Sequence, residues 1–256
     1  MDRPDAPITL ALSGGGFRAT LFHLGVVRLL YDARLLSSVR YLGAVSGGSV
    51  LAAHLALRWE LYTGPEEEFE AAAAELIKFT QSDVRGRIIR RWILGCLSVF
   101  LRYLLPRQMR WTIGNLLKGQ YARLFGRATL QNLRGGNRPK VFFNCTSLTT
   151  GSACFFSSDA FTWYEEGEEL SISSDETPIA FAVAASSAFP PLFPPVEISH
   201  RTLMCGQKDF PKAHCLTDGG VYDNLGINRV LEKTAGSKLL LVSDAEGDFD
   251  AEYEKD

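Results

Sequence analysis

No apolar run in this chain can cross a bilayer. A spanning helix needs about 20 such residues, and the best stretch, Trp92 to Leu105, is fourteen residues that already include Arg102. Cysteine is sparse: Cys96, Cys145, Cys154, Cys205 and Cys215 are an odd, scattered set without C-x-x-C spacing, which argues against a disulfide framework. Cys205, His214 and Cys215 are close in sequence, but without a matching pair elsewhere they make a weak zinc pattern. Histidine is scarcer still, with only His23, His54, His200 and His214. The N-terminus, MDRPDAPITLALSGGG, lacks the basic start and cleavable apolar core of a secretory leader. A reducing, cytoplasmic setting is therefore expected. A net charge of -2 leaves no excess of either sign that would suggest nucleic-acid binding or disorder.

What the chain does have is enough apolar content, 46% of 256 residues, to build the core of a single domain. Ile8 to Leu12 is a short apolar run that stops at Ser13-Gly14-Gly15-Gly16, after which Leu21, Phe22, Gly25, Val26, Leu29 and Leu30 recur at helical spacing. The pattern repeats: Tyr41 to Val45, a Ser46-Gly47-Gly48 turn, then Val50, Leu51, His54, Leu55 and Trp59 on one helical face. Two strand–turn–helix units predict a parallel sheet with crossover helices. From Gly64 to about Arg134 the pattern is helical throughout, which predicts an insertion over one end of the sheet. Strands return at Val141 to Cys145, Ala153 to Phe156, before Asp218, and at Lys238 to Ser243, with a buried, alanine-rich helix at Pro178 to Ser187. Seven acids between Asp244 and Asp256 predict a solvated, disordered tail over 245–256.

Three places could carry chemistry. Ser46, flanked by small residues between a strand and a helix, suits a nucleophile elbow, in which a sharp turn exposes Oγ at the carboxyl edge of the sheet. It suits a helix N-cap as well, and Ala44 stands where the usual pattern has glycine. Gly14-Gly15-Gly16, followed by Arg18, would leave backbone N–H groups at a helix start, a place suited to negative charge. The same stretch reads as a variant dinucleotide fingerprint through Gly14, Gly16 and Ala19. That reading needs an acid about 20 residues on, and none lies between Ala33 and Leu57. Asp218-Gly219-Gly220 is a carboxylate at a strand end or an ordinary turn. His214, four residues before Asp218, is the one histidine placed to act as a base in a conventional triad.

Taken together, Ser13-Gly14-Gly15-Gly16-Phe17-Arg18, Ser46 and Asp218-Gly219-Gly220 resemble the glycine-rich loop, elbow serine and D-G-A/G block of the patatin-like phospholipase family. Phe143 to Gly151 and Ala185 to Pro190 are similar to family sequence too. The resemblance implies an α/β fold of three α/β/α layers, with a central, mostly parallel sheet and a helical insertion at about 64–134 of a catalytic domain spanning 1–244. It also implies a serine–aspartate dyad, Ser46 and Asp218, with Gly14, Gly15, Gly16 and Arg18 at the oxyanion and substrate, no cofactor and no metal. The expected reaction is hydrolysis of lipid esters, of phospholipase A or lysophospholipase type. The alternatives are a non-catalytic membrane-binding or regulatory module and an acyltransferase.

Val84 to Lys118 carries Arg85, Arg87, Arg90, Arg91, Arg102, Arg107, Arg110 and Lys118 and no acid, interleaved with large apolar residues. A basic helix of this kind suits the headgroup region of an anionic membrane, although a cap helix packed on the sheet would look the same. Changing Arg87, Arg90 and Arg91 to Glu is expected to weaken binding to anionic liposomes in a sedimentation assay. Unchanged binding would leave the cap reading standing.

Overall fold

The structure, a computed structural model, describes residues 7–82, 113–190, 193–198, 214–233 and 239–246. Its first half runs β1 (Ile8–Leu12), α1 (Gly16–Asp32), β2 (Val39–Val45), α2 (Gly47–Leu57), α3 (Trp59–Tyr62), α4 (Glu66–Gln81) and α5 (Ile113–Phe125). The second half runs β3 (Lys140–Ser147), β4 (Ser152–Ser157), β5 (Ala160–Glu165), β6 (Glu168–Ser173), α6 (Ile179–Ser186), β7 (Val196–Ile198), β8 (His214–Asp218), α7 (Ile227–Lys233) and β9 (Leu239–Ser243).

The strands form one sheet in the order β6-β5-β4-β3-β2-β1-β9, with β8 paired to β3 and β7 paired to β8. Strands β9, β1, β2 and β3 are mutually parallel, as the two strand–turn–helix units predicted. Beyond β3 the sheet continues antiparallel, because connections of a few residues can join only antiparallel neighbours. The β5–β6 hairpin was not anticipated: its strands are short and flanked by acids, and the cue is the Glu166-Gly167 turn, both residues with positive φ.

Alternation along the central strands divides the core between two faces. Phe143 and Phe156 point into the large cluster formed with α1, α2, α4, α5 and α6. Their neighbours Phe142 and Phe155 point the other way and pack with Val230 of α7. Helices thus cover both faces of the sheet. Helices α2 and α6 are apolar all round and buried over almost their whole length, which fits a position between the sheet and an outer helix. Helix α1 is amphipathic and turns Ala19, His23, Leu24, Val27 and Leu30 inward.

Within the helical segment after Gly64, α4 begins with Glu66, Glu67 and Glu68 at the positive end of its dipole and buries Phe69, Ala72, Ala73 and Leu76 at three-to-four spacing. Helix α5 packs against α6. Most of the basic stretch, 83–112, lies outside the described residues, as does the acidic tail beyond Glu246. Lys118, the last cation of that stretch, sets its ammonium over the Phe181 ring at 5.5 Å. No helix among the described residues is long and apolar enough to cross a membrane.

Phe143 is fully buried in β3, the strand that pairs with β2, β4 and β8. Replacing it with alanine is expected to cost about 3–5 kcal/mol, read from urea unfolding. A loss under about 1 kcal/mol would mean that this face of the sheet repacks.

Candidate active site

Ser46 sits where β2 stops and α2 starts, and its backbone is in an unusual conformation, φ 51° and ψ -115°. For a residue with a side chain this stores on the order of 1–3 kcal/mol, so surrounding structure must impose it. Three contacts do. The Ser46 N–H donates to the carbonyl of Ser186 at 3.2 Å and to its Oγ at 3.1 Å. The Ser46 carbonyl accepts from Ser187 Oγ at 3.2 Å. On the far side of the turn Gly47 is pressed onto the Gly16 backbone, and any Cβ at 47 would overlap the Gly16 carbonyl oxygen. The N-cap alternative does not describe this turn, because the Ser46 side chain makes no capping hydrogen bond.

Asp218 reaches the same place through β3, which is longer than β2. Residues Lys140 to Asn144 pair with β2, ending at Val45 opposite Asn144. The next residues, Cys145 to Ser147, pair along the same flank with β8, whose last residue, Asp218, lies opposite Cys145. Strands β2 and β8 therefore run toward each other along one edge and meet end to end, with Ser46 just past one tip and Asp218 at the other.

The Asp218 carboxyl is buried, with Oδ1 accepting from the Gly220 N–H at 2.8 Å. Burial pushes it up to about 6 from the usual 3.8, and the Ser46 hydroxyl and the Gly220 N–H draw it part of the way back. Oδ2 meets no donor in hydrogen-bonding geometry among the described residues.

The glycine loop lies against this pair. Ser13 is held from three directions: its N–H donates to the Ser243 carbonyl at 3.1 Å, its carbonyl contacts His23 Nε2 at 3.0 Å, and its Oγ accepts from the Ala245 N–H at 2.8 Å. Of the three glycines, Gly14 spends its N–H on the Asn224 carbonyl at 3.1 Å, so its part is to allow close approach rather than to donate. Gly15, with φ 129°, and Gly16 open α1, where N–H groups have no intrahelical acceptor. Arg18 is exposed and donates to the Ala245 carbonyl at 3.3 Å, which ties the segment just after β9 to the loop.

A model of the patatin-like phospholipase family matches residues 10–231. The chain belongs to that family. No curated protein matches it. Among solved structures, human GIVD cytosolic phospholipase A2 in complex with methyl gamma-linolenyl fluorophosphonate is similar at 19% identity and TM-score 0.46, over 73% of this chain and 30% of that one. The same enzyme with terbium chloride gives 17% and 0.49, over 86% and 38%. VipD from Legionella pneumophila gives 15% and 0.41, over 86% and 47%. The chain thus spans less than half of each of these neighbours.

In this patatin-like domain the described histidines serve packing. His23 is fully buried and bridges Ser13 and Ser243, with Nδ1 2.7 Å from the Ser243 hydroxyl. Burial lowers its pKa, which keeps the ring neutral with Nε2–H facing the Ser13 carbonyl. His54 pairs with Tyr62 and Glu75. His214 stands at the opposite end of β8 from Asp218, about 13 Å away at the rise of a strand, and packs on Trp163. It cannot be the base for Ser46. His214 and Cys215 are successive strand residues, one buried and one exposed, so they do not converge on a metal.

The residues that the sequence did not single out are the ones that hold the elbow. Ser186 Oγ accepts from Ser46, contacts Ser49 Oγ at 2.8 Å and donates to the Asn144 carbonyl at 2.6 Å. Asn144 Nδ2 donates to the Ala44 carbonyl at 3.2 Å, and Thr20 donates to the Gly47 carbonyl at 2.7 Å. Both serine and asparagine lie in segments similar to the family, but nothing in their spacing predicts these bonds.

Because folding raises the Asp218 pKa, the unfolded chain binds fewer protons between about pH 4 and 6, and stability from this group falls as pH rises through that window. Asp218→Asn is therefore expected to be the more stable protein at pH 8, by up to about 3 kcal/mol, with the gap closing toward pH 4.5. Urea midpoints at the two pH values check this, and a gap independent of pH would contradict it.

Proposed function

We propose that this protein is a lipid acyl hydrolase in which Ser46 and Asp218 form a two-residue catalytic centre. The observation that carries the reading is the pairing of a serine held at positive φ with a buried carboxylate of raised pKa at the meeting point of two strands. Ser46 Oγ attacks the ester carbonyl while its proton passes to Asp218. The C–O bond to the leaving alcohol then breaks as the proton returns to that alcohol. Water attacks the acyl-enzyme with the same aspartate taking its proton, which is then returned to Ser46.

The raised pKa serves this sequence. A carboxyl near its ordinary value is a weak base for a hydroxyl, whereas one near 6 is still ionised at neutral pH yet closer to the pKa of a useful base. Negative charge forming on the carbonyl oxygen would be met by the N–H groups of Gly15 and Gly16 at the start of α1, each worth about 3 kcal/mol if well placed. Exposed Phe189, Val221 and Tyr222 adjoin Ala188 and Gly220, whose backbone groups bond to Asp218. An apolar rim of this kind suits an acyl chain, which supports phospholipase A or lysophospholipase substrates. An anionic membrane surface is the partner we propose for Val84 to Lys118, with peripheral association. The reaction as written uses no metal or cofactor.

The test is fatty-acid release from mixed phospholipid vesicles and from a short-chain ester in EDTA, by wild type, Ser46→Ala and Asp218→Asn. Both substitutions are expected to lower kcat/KM by about a thousandfold or more. In the wild type kcat/KM should fall as pH drops below about 6, where Asp218 takes up a proton. Activity that survives Ser46→Ala would reject this centre, and an inactive wild type would favour a binding module.

A further inference from the structure

We propose that Asn224 positions the water that releases the acyl group, and so biases this site toward hydrolysis over transfer to alcohols; the inference rests on the Ser46–Asp218 reading above. Asn224 lies in loop 219–226, between β8 and α7. Its main-chain carbonyl accepts from the Gly14 N–H at 3.1 Å, which joins this loop to the glycine loop. Its side-chain Nδ2 donates to Glu246 Oε1 at 2.7 Å. A carboxylate can only accept, so this bond fixes which way the amide faces and leaves Oδ1 as the atom turned toward the site.

Two glycines locate that oxygen. A Cβ built on Gly220 would lie 2.6 Å from Asn224 Oδ1 and 3.1 Å from Asp218 Oδ1. A Cβ built on Gly14 would overlap Asn224 Oδ1 and lie 3.5 Å from Ser46 Cβ. One amide oxygen therefore borders the backbone beside both the serine and the aspartate. No donor among the described residues bonds to it, and Asn224 is only half-buried, so water can reach it.

An acceptor here discriminates between nucleophiles in the second half of the reaction. Water has two hydrogens. As its oxygen bonds to the acyl carbon and the bond to Ser46 Oγ breaks, one hydrogen passes through Asp218 to Ser46. The other stays on the new carboxylic acid and can point to Asn224 Oδ1 throughout. An alcohol has one hydrogen, which Asp218 takes, and it presents carbon to Oδ1, leaving that oxygen desolvated and unpaired.

The experiment uses the whole chain with p-nitrophenyl butyrate in water containing methanol, and measures butyrate against methyl butyrate, with p-nitrophenol release giving kcat/KM. For Asn224→Ala, the ratio of methyl ester to acid should rise about tenfold over wild type. Asn224→Asp combined with Glu246→Gln reverses donor and acceptor in the side-chain bond, keeps an acceptor oxygen facing the site and should keep the wild-type ratio. Both retain the main-chain bond to Gly14. If the alanine variant does not fold, Asn224→Leu provides a side chain of similar size without an acceptor. An unchanged ratio in the acceptor-free variant, or an equal rise in the Asn224→Asp and Glu246→Gln double variant, overturns the assignment. Methyl ester formation that survives Ser46→Ala overturns the acyl-enzyme reading itself.

Discussion

The site depends on one flank of β3 being shared by two strands. Strand β2 uses the first residues of that flank in parallel register, and β8 uses the next residues in antiparallel register. The carboxyl ends of two segments far apart in sequence are thereby aimed at each other from adjacent register positions. Had β3 stopped at Asn144, the tip of β8 would lose the strand pairing that sets it next to the tip of β2. The elbow at Ser46 then needs only local enforcement, which Ser186, Ser187 and the close approach of Gly47 to Gly16 provide.

The same arrangement carries an energetic conflict. In the proposed mechanism the carboxylate that takes the proton is desolvated, and desolvation makes its charged form unfavourable in the fold. The structure limits that cost with one strong bond, from the Gly220 N–H to Oδ1, and among the described residues Oδ2 meets no donor in hydrogen-bonding geometry. A second such bond would stabilise the folded protein and weaken the base. The neighbouring serine is strained as well, so under the proposed mechanism local stability is given up at both partners in favour of reactivity. The buried histidines behave differently: His23 is satisfied at both ring nitrogens and braces Ser13 without taking part in chemistry.

Much of this was legible in the sequence because the motifs are local. Gly14 to Gly16 follow an apolar run and precede helical periodicity, and Ser46 does the same one unit later, so strand, turn and helix could be placed around each. Asp218 was identifiable only in combination with the other two, since Asp-Gly is a common turn signal. Ser186 and Asn144 were not legible as supports, because a hydroxyl donating to a carbonyl across the fold leaves no periodicity. The antiparallel half of the sheet was hard to read for a related reason. Strands β5 and β6 are short, and their acidic flanks resemble a loop.

The sequence by itself determined the α/β class and the identity of the three candidate segments, because each follows from the order of apolar runs, glycines and small residues along the chain, and the motifs in those segments carried the resemblance to the family. The tertiary structure decided the rest. It separated His214 from the site by the length of a strand, assigned the Gly14 N–H to Asn224 instead of to a substrate, and set Asn224 Oδ1 between the glycine and aspartate loops. These are distances between segments that meet only when strands pair in register. Local pattern cannot encode them, because register is chosen by the packing of the whole sheet.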